Sequence, residues 1–479
     1  MAEDKVAHQE KPSRAGKDQG TRMGAGVAKR AGGDRKRKGS GGTYKLKEAS
    51  LALGHISTNQ VAGLLGFLLG VKSFLITPTF LTLELSTGAW LSVLISVALA
   101  VVAAIGWLKW SYLTRGLPFL QALQETLGKA LGTLLCASIT ASFVFAISLS
   151  MRLFAGGAAI GLLPDVPIEV LLIALIASSA YSAWAGLESL ARATTFFFAP
   201  TVISFVIIVV TSLRDLDLRN LLPFWGPGPA EVGLAGLRLI GLWGILPAFG
   251  AVKTYVRREE DLEKGVLTGL LAAGATLTAT VVATLLFFPY PSGTRLTHPL
   301  GILARSIYLG RYFQRLEAVF VFTWFFPSAI QAGFTYFVIL VFLAQMSGVN
   351  TYRMFLPALS ALTFAIGAMP VSLHKTAQVL TTYFFDTAGI ALISLGWVLY
   401  GVARLRGIKP PQAKNPEKDP AQDTEQDTDP DTEGVGMQAS ESPGRGPKAQ
   451  DKEAGLGSAQ KGRGGDYRAP SGNTNATSN

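Results

Sequence analysis

Apolar residues in this chain come in runs of about twenty, the length a helix needs to cross the hydrocarbon core of a bilayer, and polar residues collect between the runs. Ten runs stand out: 57–83, 89–110, 131–160, 167–184 and 194–213, then 234–252, 265–289, 315–343, 353–371 and 381–403. Each predicts a transmembrane helix, so the expected fold class is an all-α integral membrane protein with about ten transmembrane helices. The polar stretch 214–231 divides them into two groups of five, the arrangement that an inverted 5+5 repeat produces.

Two runs are interrupted at their centres. In the first, Gly66, Gly70, Lys72, Ser73 and Pro78 stand where an unbroken helix would carry leucine or isoleucine. In the sixth, Gly241, Trp243, Gly244, Pro247 and Gly250 have the same character. A broken helix frees backbone N–H and C=O groups, which membrane depth tolerates only where they line a cavity or bind something. Gly70, Lys72, Ser73 and Phe74, with Gly241, Trp243, Gly244 and Pro247, are therefore candidate substrate-binding residues. The competing reading is small-residue packing or plain kinks, since glycine and proline are frequent in membrane helices.

Lys72 is the one formal charge well inside the first run, and a central lysine is costly in hydrocarbon. Four roles fit it: meeting a substrate carboxylate, occupying the place of a coupling cation, snorkelling, or pairing structurally with Glu84 or a carbonyl. In the eighth run Ser328 and Gln331 lie three apart, on one helical face, where they serve either a small polar ligand or a neighbouring helix. Ser328 joins the candidate substrate contacts. Glu188 and Arg192 have i,i+4 spacing at a helix end, which predicts a structural or gating salt bridge.

Composition sharpens this reading. The chain is 49% hydrophobic and 16% charged, and the charge sits mainly at the ends. Residues 1–50 hold 13 Lys and Arg against 6 Asp and Glu, and residues 404–479 hold 11 against 12. A soluble domain the size of the middle would need far more polar residues to cover its surface. Residues 1–50 and 404–479 both read as disordered tails, the first basic and suited to anionic lipid, flanking a membrane domain over 51–403. The net charge of +11 thus predicts a membrane-lipid partner and no nucleic acid. Lys109, Arg115, Lys129, Arg192, Lys253, Arg257, Arg258, Lys264, Arg353, Arg404, Arg406 and Lys409 fall on alternate loops, which predicts both termini in the cytoplasm. The outside segment 290–314 is the exception, with Arg295, Arg305, Arg311 and a short interfacial helix expected after His298.

One cysteine, Cys136, excludes a disulfide framework. His8, His55, His298 and His374 show no metal-ligand spacing, and neither a phosphate-binding loop nor a nucleophile elbow is present. Neither an enzyme, nor a cofactor, nor a metal is predicted.

Several motifs share an order and spacing. They are Ile56-Ser57-Thr58-Asn59-Gln60 ahead of the first break, Gly186-Leu187-Glu188 through Arg192, Asn220 through Pro223, and Arg315-Leu316-Glu317 through Trp324. On ten apolar runs they make the chain resemble the B subunits of GerA-type germinant receptors, the endospore germination permeases of the amino acid, polyamine and organocation transporter superfamily (APC, LeuT-like). The resemblance covers about residues 57–403. It implies an inverted-repeat fold with a midplane pocket between the first and sixth helices, and a small germinant, commonly an amino acid, as ligand. It also implies a larger A subunit and a lipoprotein C subunit as partners in the spore inner membrane. The long charged ends and Lys72 depart from the family's usual pattern. A proton-coupled amino-acid permease is the alternative function.

Overall fold

A computed structural model describes residues 56–74, 77–161, 163–212, 216–256, 258–292, 299–306 and 317–410. Most of both tails, with His298, Arg295, Arg311 and Arg315, lies outside them. The described residues are almost entirely helical. Eight helices are long and apolar enough to span a bilayer, and the ninth predicted run forms a shorter apolar helix, Tyr352–Ala368.

The first helix, α1 (Thr58–Gly70), starts where Ser57 and Gln60 form a reciprocal capping box, the Gln60 side chain accepting from the Ser57 amide at 2.9 Å. It gives way to a 3-10 turn, Val71–Phe74, before α2 (Thr77–Leu85). Ser86 then takes a left-handed φ of 51°, and the chain turns into α3 (Ala89–Leu113). A short α4 (Phe119–Leu127) lies against α5 (Lys129–Gly161), and α6 (Ile168–Ala185) and α7 (Leu187–Ser212) follow. The sixth run is helical only over α8 (Pro229–Arg238). It continues as 3-10 turns, Leu239–Trp243, Leu246–Ala251 and Lys253–Tyr255. After α9 (Glu259–Phe287) and α10 (Pro299–Ser306) come the long α11 (Glu317–Ser347), α12 (Leu356–Ala368) and α13 (Leu373–Val379). A ten-residue π-helical segment, Leu380–Gly389, then leads into α14 (Ile390–Leu405).

Hydrocarbon gives helices no hydrophobic reason to associate, so close backbone approach and polar contacts must do it. The α1–α9 seam works this way: a β-carbon at Gly269 would come within 2.7 Å of the Ala62 carbonyl, and one at Gly265 within 2.7 Å of Val61. Thr58 donates to Asp261 at 2.9 Å at the end of the same seam, and the Ile56 amide donates to the Tyr255 carbonyl at 3.1 Å. Helices α3 and α14 interlock reciprocally. Trp107 lies over Gly396 and donates to the Leu392 and Ile393 carbonyls at 3.2 Å, while Trp397 lies over Gly106 and donates to the Val102 carbonyl at 2.9 Å. Asn220 fastens the loop before α8 to the end of α9 through the Leu286 carbonyl, 2.9 Å away. In that loop Gly226, at φ 51°, lies too close to the Leu85 carbonyl for any side chain.

Gly269→Val should lower stability by about 1–3 kcal/mol, because neither backbone in the seam can yield without breaking helix hydrogen bonds. Thermal unfolding of the detergent-solubilised chain measures this, and an unchanged midpoint would contradict the seam.

Candidate binding site

The two interrupted helices meet. The Lys72 ammonium, carried on the 3-10 turn after α1, donates to the Leu242 carbonyl in the unwound stretch of the sixth run. It also lies 5.0 Å from the centre of the Phe385 ring, on the π-helical segment. Unwinding leaves carbonyls without helical donors, and a buried unmet acceptor costs about 1–3 kcal/mol. The lysine supplies the missing donor, and a π face with it. This is the carbonyl pairing among the roles open to Lys72, and the ammonium keeps further protons to donate to a ligand.

Glycine sets the geometry on the other side. Any β-carbon at Gly241 would collide with the Phe385 carbonyl, and one at Gly244 with Gly389, so the unwound stretch lies directly on the π-helical backbone. Gly70 differs: a β-carbon there meets Ala273 on α9 at an ordinary 3.6 Å. Trp243 is buried and its indole donates to Ser96 at 3.3 Å, and Pro247 lies buried in the following 3-10 turn. Ser73 is buried, and its hydroxyl has no partner among the described residues. Phe74 closes the first 3-10 turn, and its side chain lies outside what is described.

From this junction a cavity of about 350 Å³ runs toward the end of the bundle where α2 finishes and α8 begins. Two cations, Lys72 and Arg238, and three carboxylates, Glu84, Glu231 and Asp386, share it with apolar walls that include Phe80, Leu81, Phe154 and Leu242. Such a surface suits a small ligand bearing both signs of charge. The sequence reading missed Asp386, although a carboxylate inside an apolar run carries the same signal as Lys72. Gln331 also lines the cavity, buried, with its side-chain oxygen unpartnered among the described residues. Ser328, three residues earlier, instead returns its hydroxyl to the Trp324 carbonyl at 2.6 Å. Glu188 and Arg192 pair at 3.3 Å with both side chains more than half exposed, away from the cavity, where such a pair contributes little.

At the opposite end lies a second buried lysine, Lys253, which the sequence reading placed among the loop charges because it follows an apolar run. Lys253 donates weakly to the Thr114 carbonyl and hydroxyl, 3.4 Å from each, and lies 5.2 Å from the centre of the Trp110 ring. Burial pushes its pKa down from 10.5 to about 8, with the Glu259 carboxylate opposing part of that fall.

Two outcomes follow. Gly244→Ala should push the sixth run off the π-helical segment at a cost of about 1–3 kcal/mol, whereas Gly70→Ala should leave stability unchanged. Equal losses of folded protein, by size-exclusion of membrane extracts, would contradict the backbone contact. For Lys253, the unfolded chain holds a proton between pH 8 and 10.5 that the native chain has released. Stability should therefore rise with pH across that window, by on the order of 3 kcal/mol in total, and lack this gain below pH 8. Thermal unfolding from pH 7 to 10.5 should show the rise in the native chain and its loss in Lys253→Met.

Residues 55–378 match the family described as spore germination protein. Spore germination protein A2 of Bacillus subtilis is 27% identical over 228 residues, 44% of this chain and 59% of that protein, so the match spans well under two thirds of its length. Spore germination protein YndE of the same organism is 24% identical over 270 residues, 56% of this chain and 73% of that protein. Among solved structures, an Eremococcus coleocola manganese transporter aligns with a TM-score of 0.43 and 16% identity, over 72% of this chain and 77% of the transporter. With its spanning helices and a family match over most of its length, the chain is a multi-pass membrane protein that belongs to the spore germination protein family.

Proposed function

We propose that this protein is the B subunit of a GerA-type spore germinant receptor, which binds a small nutrient of the amino-acid class between its two broken helices and thereby triggers germination. The carrying observation is the cavity that opens from the Lys72–Leu242 junction, with a cation at its inner limit and Glu84, Glu231 and Asp386 along its wall. A zwitterionic nutrient would direct its carboxylate at Lys72 and Arg238 and its ammonium at the carboxylates. Binding there exchanges the Leu242 carbonyl for the ligand, at least in part, so occupancy changes how the two interrupted helices are joined. The inverted 5+5 repeat, the A and C subunits, the spore inner membrane and cytoplasmic termini complete this reading.

Lys72→Met should weaken nutrient binding roughly ten- to a hundredfold, the range expected for one charge-assisted hydrogen bond. Titration of single amino acids against native and variant protein, normalised to folded protein in the membrane, measures it. An unaltered dissociation constant would remove Lys72 from the site. Deletion spores that germinate normally with each amino acid but fail to take one up would favour a proton-coupled permease.

A further inference from the structure

A second groove, of about 450 Å³, lies at the end of the bundle opposite the nutrient cavity. Lys109 and Tyr112 from the last turns of α3, Glu259 and Glu263 from the first turns of α9, and Tyr400 and Arg404 from the last turns of α14 line it. We propose that this groove binds one membrane phospholipid whose headgroup carries both a phosphate and a primary ammonium, the phosphatidylethanolamine class.

The charges argue for that chemistry. Lys109 lies 5.9 Å from the centre of the Tyr400 ring and Arg404 5.8 Å from the same ring, yet among the described residues neither has a carboxylate within salt-bridge distance. Two cations gathered on one ring repel each other unless an anion joins them, and a phosphate with several acceptor oxygens does so. On the facing helix Glu259 already faces two cations, Arg115 at 3.9 Å and the buried Lys253, whereas Glu263 has no cationic partner among the described residues. That carboxylate leaves a place for a positive group a few bonds from the phosphate.

Location argues for a lipid over a soluble ligand. The groove sits at helix ends, where tyrosine and tryptophan occupy the depth of lipid headgroups and basic pockets between helices take up their phosphates. Beside it, toward the bilayer centre, Val102, Trp397 and Val398 on α3 and α14 are exposed apolar side chains that give acyl chains a surface to follow. Free phosphate would satisfy the cations and use none of this surface. Phosphatidylglycerol would use the surface and leave Glu263 unpaired.

Native mass spectrometry of the purified full-length chain, with added phosphatidylethanolamine, phosphatidylglycerol or inorganic phosphate, tests the assignment. The native protein should retain phosphatidylethanolamine in preference to phosphatidylglycerol, and inorganic phosphate should not displace it. The double variant Lys109→Gln, Arg404→Gln should bind it about thirtyfold more weakly, fivefold or so for each cation removed. Glu263→Gln should keep phospholipid binding and lose the preference, and Lys109→Arg should behave as the native chain, which separates lost charge from misfolding. Equal affinity in the double variant, no preference in the native protein, or displacement by inorganic phosphate would each overturn the proposal.

Discussion

A backbone carbonyl at membrane depth needs a donor, and the architecture of this protein turns on how one such demand is met. The sixth run abandons α-helical bonding after Arg238, and the Leu242 carbonyl it exposes is claimed by Lys72 from the other interrupted helix. Each partner would be a liability alone: an unmet acceptor on one side, an ammonium in hydrocarbon on the other. Joined, they let two helices stay unwound side by side. Gly241 and Gly244 extend the arrangement by allowing the π-helical segment to lie against the same stretch, which brings the Phe385 ring to the lysine.

Around that junction the bundle is held by shape more than by apolar burial. The α1–α9 seam joins helices through glycines at close spacing, and the α3–α14 contact sets each tryptophan into the gap opposite a glycine while its indole satisfies a carbonyl of the partner helix. Both devices replace the hydrophobic drive that a lipid solvent withholds. Both also explain why polar groups in the spans mostly bond locally, as with Thr140 to the Cys136 carbonyl and Thr284 to the Thr280 carbonyl at 2.7 Å.

Much of this was legible from the order of residues, and the reasons are physical. Apolar runs are dictated by bilayer thickness, so most helices fell where expected, the ninth being shorter than its run because Tyr352–Phe355 winds as a 3-10 turn and α12 stops at Ala368. Glycine, proline and lysine gathered at the centre of an apolar run disfavour a continuous helix there, so both breaks could be located beforehand. Which side chains face the cavity was less accessible. Ser328 and Gln331 share a helical face, yet the serine is satisfied within its own helix and only the longer amide reaches the opening. The π-helical segment was invisible, since one extra residue per turn leaves no periodic trace in ten residues. Asp386 went with it. Lys253 was read as a loop charge because its burial depends on Trp110 and Thr114, more than a hundred positions away.

The Ile56–Tyr255 hydrogen bond has a mechanical corollary once it is set beside the Lys72–Leu242 bond. The first interrupted helix is pinned to the sixth at two points, one at the bundle end and one at mid-depth. Two fixed points set the register of one element against the other, so neither slides along its neighbour while both bonds hold.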